Sequence, residues 1–122
     1  MKRILIFDDD ADILDILIYL LEENGWVVHT RRDCSDLLAT VERCEPDIIL
    51  MDNWIPEEGG IVATQLLKSN ERYKDIPVIY FSANNNIKAL AEEAGADSWL
   101  AKPFDLNDLE AMLNTYKQKA SD

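Results

Sequence analysis

Five side chains able to hold a cation or a phosphoryl group stand immediately after short apolar runs in this 122-residue sequence. Asp8 and Asp9 follow the run 4–7, Asp52 follows 48–51, Ser82 follows 78–81, and Lys102 follows 98–101. Three carboxylates crowded together at low effective dielectric repel one another, so a proton or a hard cation must sit among them. Oxygen-only donors suit a small divalent ion such as Mg2+, which keeps some of its waters for an incoming phosphoryl oxygen. With that ion the set reads as a phosphoryl-transfer site: a carboxylate attacks phosphorus while the ion, an ammonium and a hydroxyl take the charge on the equatorial oxygens. Asp52 is the expected nucleophile, because it ends a central run and is followed by backbone N–H groups at Asn53 and Trp54. Asp8 and Asp9 are expected to hold the metal, Lys102 to pair with the phosphoryl group and Ser82 to donate a hydrogen bond to it. The small Ala83 leaves room for its approach.

The elements that must position these residues follow from apolar spacing. The runs 4–7, 48–51, 78–81 and 98–101, with a fifth at 26–30, are short, continuous and rich in branched or aromatic residues, so they read as strands buried on both faces. Helical spacing fills the intervals, at 12–24 before Gly25, 36–43 before Pro46, 60–69, 86–94 before Gly95, and from Asp105 through Tyr116. Asp33 or Ser35 is expected to cap the second of these and Asp105 the last. Five strands alternating with five helices imply an α/β fold with a parallel sheet covered on both faces. Ligands of such sheets bind outside the carboxyl ends of the strands, where the five residues stand. Only the second strand, ending at Thr30 and Arg31, offers no comparable group, as expected of an edge strand.

The composition narrows the function classes. With 24 Asp and Glu against 12 Lys and Arg, the net charge of −12 opposes direct binding to nucleic acid or an anionic membrane. No apolar run approaches the roughly 20 residues needed to span a bilayer and no signal-peptide pattern is present, so a cytoplasmic, single-domain protein over residues 1–122 is expected. Cys34 and Cys44 have neither CxxC spacing nor a metal-hook spacing and are expected to stay reduced. His29, on the second strand, reads as packing or surface and not as a phosphodonor.

Read together, Asp8 and Asp9 after the first run, Asp52 to Trp54 with Pro56, Gly59 and Gly60, Ser82-Ala83, Ala94 to Asp97, and Lys102-Pro103-Phe104 resemble the receiver domain of bacterial two-component response regulators over the whole chain. The resemblance implies a flavodoxin-like, doubly wound sheet of strand order 2-1-3-4-5 and phosphorylation of Asp52 from a histidine kinase or a histidine phosphotransfer protein. It implies Mg2+ on Asp9, Asp52 and the backbone carbonyl of Trp54, with Asp8 acting largely through water, and a cis Lys102–Pro103 bond that aims the lysine. It also implies a switch in which Ser82 moves toward the phosphoryl group and an aromatic on the fifth strand turns inward, reshaping the face of the fourth helix, fifth strand and fifth helix for a protein target. That aromatic falls on Trp99, where a smaller ring is usual, so Trp99 is also read as a standing partner contact. Trp54 and Asn84 flank the expected path of the hydrolytic water, and a moderately long-lived phosphoaspartate is expected.

Three rivals are weighed. A haloacid-dehalogenase-type phosphatase shares the Asp nucleophile, Mg2+, Ser and Lys, and Asp10 and Asp12 have its DxD spacing, but both acids fall at a helix start. It would turn over external phosphoesters repeatedly, whereas a receiver is labelled once and slowly loses the group. An EF-hand reading of Asp8, Asp10 and Asp12 fails because Ile13 and Tyr19 replace the required glycine and glutamate. A docking-only pseudo-receiver conflicts with the intact acidic set and Lys102.

Overall fold

The computed structural model describes residues 2–53, 59–102 and 104–120. In chain order it contains β1 (Arg3–Phe7), α1 (Ala11–Glu23), β2 (Val27–Arg31), α2 (Leu37–Cys44), β3 (Ile48–Asp52), α3 (Gly59–Lys68), β4 (Val78–Ser82), α4 (Ile87–Ala94), β5 (Ser98–Ala101) and α5 (Leu106–Ala120). All adjacent strands pair in parallel, in the order β2-β1-β3-β4-β5, the flavodoxin-like arrangement.

Strand alternation divides the core into two layers. Leu5, Phe7, Ile49, Met51, Val78 and Tyr80 pack beneath Leu37 and Val41 of α2, Ala63 and Leu67 of α3, and Ile87 and Ala91 of α4. Ile4, Ile6, Ile48, Leu50, Ile79 and Phe81 point the other way, onto Leu14, Leu17 and Leu21 of α1 and Leu109 and Leu113 of α5. The central strands β3 and β4 are buried throughout, as their continuous apolar runs require. The two edge strands differ from the expectation of burial on both faces. β5 alternates half-buried and exposed positions, and β2 is exposed at Val27 and His29, because an outermost strand leaves part of its surface to solvent.

Element ends differ from the sequence reading by a residue or so, with identifiable causes. Trp26 precedes β2 and packs in the α1–α5 layer instead of joining the sheet. α1 starts at Ala11 because Asp10 is its N-cap, accepting hydrogen bonds from the backbone N–H groups of Asp12 and Ile13. Neither Asp33 nor Ser35 caps α2; the Asp33 carboxylate instead accepts from the Ser35 hydroxyl and N–H, and these two bonds, helped by the charge of Arg31, hold its pKa below the ordinary value. Cys34 is buried ahead of α2, Cys44 ends it, and no disulfide joins them. Asp105 accepts from the Asp108 N–H at the start of α5, as expected of a cap. At the opposite edge of the sheet, Asp47 and Asp97 fasten strand beginnings by accepting from the backbone N–H groups of Arg3 and Val78, and Lys68 pairs with Asp97 at 2.6 Å.

Candidate phosphoacceptor site

Backbone hydrogen bonds that continue the sheet one residue past its strands gather the candidate residues. The Asp8 N–H donates to Arg31, the Asn53 N–H to Phe81, and the Lys102 N–H to Ser82 at 2.9 Å. Asp8, Asp52, Ser82 and Lys102 thereby share one edge with Asp9, and a cleft of about 280 Å³ is lined by these five together with Asp10, Ile13, Ala83 and Asn84. Asp8 and Asp52 are 1% and 5% exposed, and Ser82 is buried, whereas Asp9 reaches solvent.

Lys102 Nζ stands 3.0 Å from Asp8 Oδ2 and 3.2 Å from Asp52 Oδ1. It also lies 4.5 Å from the centroid of the Phe81 ring, a cation–π contact that fills space beneath the ammonium. Burial works against its charge, but the hydrogen bond it donates to Asp8 and the charges of Asp52 and Asp8 outweigh that and raise its pKa above the usual lysine value. Asp52 behaves oppositely. Burial and then the charge of Asp8 push its carboxyl up to about 6, with Lys102 only partly offsetting them. The lysine therefore satisfies the site incompletely, and a further positive charge would be favoured there.

Among the described residues, one group of three or more potential ligands is close enough to share an ion: Asp8, Asp9 and Asp52 each offer an oxygen, all within 4.8 Å of one another. The donors are carboxylate oxygens without nitrogen or sulfur, a set that fits a hard divalent cation such as Mg2+. Asp10 and Asp12, the two acids of the phosphatase-like spacing, belong to the α1 cap and its first turn, and do not complete a second acidic pair.

The family model for the response regulator receiver domain matches residues 4–114. The chain belongs to the response regulator receiver family. Receivers are signalling modules of two-component systems and not classical enzymes, and membership implies a histidine kinase as partner; the acidic pocket of this receiver is consistent with phosphoaspartate signalling. It is 37% identical over 113 residues to the DNA-binding regulator RpaA of Synechocystis, covering 91% of this chain and 47% of that protein. It is 36% identical over 107 residues to the autoinducer sensor kinase/phosphatase CqsS of Vibrio cholerae, covering 85% of this chain and 16% of that protein. The chain thus spans about half or less of these longer relatives. Among solved structures, the receiver domain of sensor histidine kinase PA1611 from Pseudomonas aeruginosa superposes with a TM-score of 0.86 at 27% identity, covering 94% of this chain and 96% of that one. It has a magnesium ion coordinated in its active-site cleft. The chemotaxis protein CheY4 of Vibrio cholerae superposes with a TM-score of 0.85 at 25% identity, covering 95% and 98% of the two chains.

Not every residue singled out from the receiver's sequence falls at the cleft. Trp99 lies outside it on β5, 39% exposed, with Lys88 Nζ of α4 5.9 Å from its ring centroid, so the indole faces outward. Ser82 is at the cleft, and its Oγ accepts from the Asn84 N–H at 3.0 Å. His29 is exposed on edge strand β2, away from the acidic corner. Trp54, with its proposed carbonyl ligand, and Pro103, with its proposed cis bond, lie outside the described residues.

One expectation is corrected by Arg32, the residue that follows β2. Its guanidinium donates from Nε and Nη2 to the backbone carbonyl of Asp9, at 3.3 and 3.1 Å, so the second strand does contribute a group to this edge. An arginine one step beyond the Thr30-Arg31 strand end was visible in the sequence; its reach across to the β1–α1 loop depends on the parallel register of β1 and β2. A second correction concerns Asn53: the backbone N–H expected to serve the site donates to the Phe81 carbonyl instead, and it is the Asn53 side chain that is engaged, by Tyr80, a residue the strand pattern marks only as apolar filler. A buried tyrosine needs a partner for its hydroxyl, and that requirement is the signal that points to Asn53.

Proposed function

We propose that residues 1–122 act as one receiver domain in which Asp52 accepts a phosphoryl group from the phosphohistidine of a histidine kinase or a histidine phosphotransfer protein. The observation that carries this reading is the buried Asp52 carboxylate, bridged through Lys102 to Asp8 inside a cleft with a third carboxylate. An Asp52 oxygen attacks phosphorus, the P–O bond forms as the P–N bond to the donor imidazole breaks, and the electron pair leaves with the imidazole. Asp8, Asp9 and Asp52, with the backbone carbonyl of Trp54, would hold Mg2+, which would supply positive charge to the phosphoryl oxygens. Lys102 turns from its carboxylates toward the phosphoryl group, Ser82 donates its hydroxyl to a second oxygen, and Ala83 leaves the approach open. Asn84 is the polar side chain at the mouth available to a hydrolytic water, and Trp54 is its shield. A reaction fed by an ATP-dependent kinase belongs in the cytoplasm.

The output is protein contact through α4, β5 and α5, with no direct nucleic-acid role for a chain of net charge −12. The outward Trp99 beside Lys88 supports a standing aromatic contact on that face. Incubation with Mg2+ and acetyl phosphate is expected to add one phosphoryl group to the intact mass of the wild type and none to Asp52→Ala. Lack of the adduct, or an adduct that persists in the variant, overturns the assignment.

An apolar groove of about 320 Å³ adjoins the cleft, lined by Ile13, Ile16, Leu17 and Leu20 of α1 with Phe104 and Leu106, and shares Ile13, Ala83 and Lys102 with it. A protein phosphodonor that reaches Asp52 through the cleft must rest beside this groove, where Ile16 is exposed. Ile16→Asp is expected to slow transfer from a phosphorylated protein donor by about tenfold, as for loss of an apolar anchor, while labelling by acetyl phosphate stays unchanged. Parallel time courses with the two donors make the comparison, and an equal loss with both would refute selective docking.

A further inference from the structure

Tyr80 is fully buried in the middle of β4, in the layer beneath α3 and α4, at a place that needs only an apolar side chain for packing. Its hydroxyl donates to Oδ1 of Asn53, the residue directly after Asp52. Asn53 is also held through its backbone: its N–H donates to Phe81 at 3.3 Å and its carbonyl accepts from Gly60 at 3.2 Å. Three contacts from two elements thus fix one residue, namely the Phe81 carbonyl and the Tyr80 hydroxyl of β4 and the Gly60 N–H in the first turn of α3. The arrangement is close. A Cβ on Gly60 would stand 2.3 Å from the Asp52 carbonyl oxygen and 3.0 Å from the Tyr80 hydroxyl, so only glycine lets α3 approach the strand end here. Burial and the negative charge of Asp52 both raise the pKa of Tyr80, which keeps its hydroxyl a proton donor at all working pH values.

We propose that Tyr80 is a positioning residue for the Asp52 chemistry: through its hydrogen bond to Asn53 it pins the first residue of the β3–α3 loop, and so fixes the orientation in which the Asp52 carboxyl is presented to cation and phosphoryl group. The link is specific to the hydroxyl. Phenylalanine fills the same volume and leaves Asn53 with its two backbone hydrogen bonds alone, free to let the strand end rock. The inference deepens the phosphoacceptor reading and rests on it for the phosphoryl group, but its binding consequence can be read without any transfer.

Mg2+ titration by calorimetry of the wild type, Tyr80→Phe, Asn53→Ala and the double variant tests it, alongside acetyl phosphate labelling at subsaturating Mg2+. Each single variant is expected to weaken Mg2+ binding about fivefold, the worth of one buried hydrogen bond, and to slow labelling by a similar factor. The double variant is expected to be no weaker than either single one, because both remove the same bond. A role in packing alone leaves Mg2+ affinity within twofold of the wild type in both single variants, or makes the losses multiply in the double, and either result overturns the inference. Asn53→Ala changes a half-buried loop residue and reads the same link should Tyr80→Phe fold poorly. If the wild type binds Mg2+ with these differences intact yet takes no phosphoryl group, the phosphoacceptor reading fails while the positioning of Asp52 stands.

Discussion

Replacing Asp52 with Asn is expected to raise the stability of the metal-free protein at pH 7 while abolishing phosphorylation. The folded protein holds the Asp52 proton more tightly than the unfolded chain does, since burial and Asp8 move the carboxyl from 3.8 to about 6. Between those two values the native state binds more protons, so the contribution of Asp52 to stability is fully present below pH 3.8 and is lost as pH rises through 6. At pH 7 the ionised carboxylate opposes folding by about 3 kcal/mol relative to its protonated form. An amide keeps the shape without the charge, and a gain of about 1–3 kcal/mol is expected in EDTA, read as a higher melting temperature. The gap should narrow at pH 5, where Asp52 is mostly protonated in the wild type. Mg2+ should change the ranking: at a hundredfold excess over its Kd it stabilises the wild type by about 2.7 kcal/mol, and the variant by less. An Asp52→Asn protein that melts below the wild type in EDTA at pH 7 would show that the carboxylate is better satisfied than its surroundings imply.

Lys102→Ala has the opposite sign. Its ammonium is the one cation within ion-pair distance of the buried Asp8 and Asp52 among the described residues, and its side chain is only 18% exposed. Removing it leaves two like charges uncompensated in the protein interior, with an expected loss of about 3 kcal/mol in EDTA at pH 7, at the lower end for breaking a buried pair because one carboxyl can protonate. Denaturant unfolding should therefore show a smaller loss at pH 5, and Mg2+ should restore part of it by supplying the missing positive charge. Addition of Asp52→Asn to Lys102→Ala should recover stability, since it removes one of the stranded carboxylates. Phosphorylation will not recover with Mg2+: the ammonium also takes charge on the phosphoryl oxygens, and acetyl phosphate labelling is expected to slow on the order of a hundredfold. A loss that is the same at pH 5 and pH 7 would place the role of Lys102 in packing against Phe81.

Much of this site is local information. An acid or an amine placed directly after an apolar run is carried to the end of its strand wherever that strand lies, and parallel alternation sends those ends to one edge. The same logic explains what was misplaced. β2 and β5 have strand-like composition, but whether a strand is buried on both faces depends on its rank in the sheet, which composition does not contain. The α2 cap differs from the expectation because Asp33 has two nearby donors in Ser35, and local competition with the helix end is decided by backbone angles. The contribution of Arg32 is not legible in the sequence because its partner is a backbone carbonyl, which has no signature there.

By itself the sequence determined the alternating α/β elements, the two edge glycine caps at Gly25 and Gly95, and the presence of Asp8, Asp9, Asp52, Ser82 and Lys102 at strand ends, because each depends on neighbours within a few positions. Tertiary structure alone decided which of them touch. Lys102 meets Asp8 across 94 positions of chain and Asp52 across 50, and Tyr80 meets Asn53 across 27. Those meetings depend on strand register and on depth of burial. The same depth sets the charge balance: an aspartate at a strand end is an ordinary acid until two layers of helices exclude water and place a second carboxylate beside it.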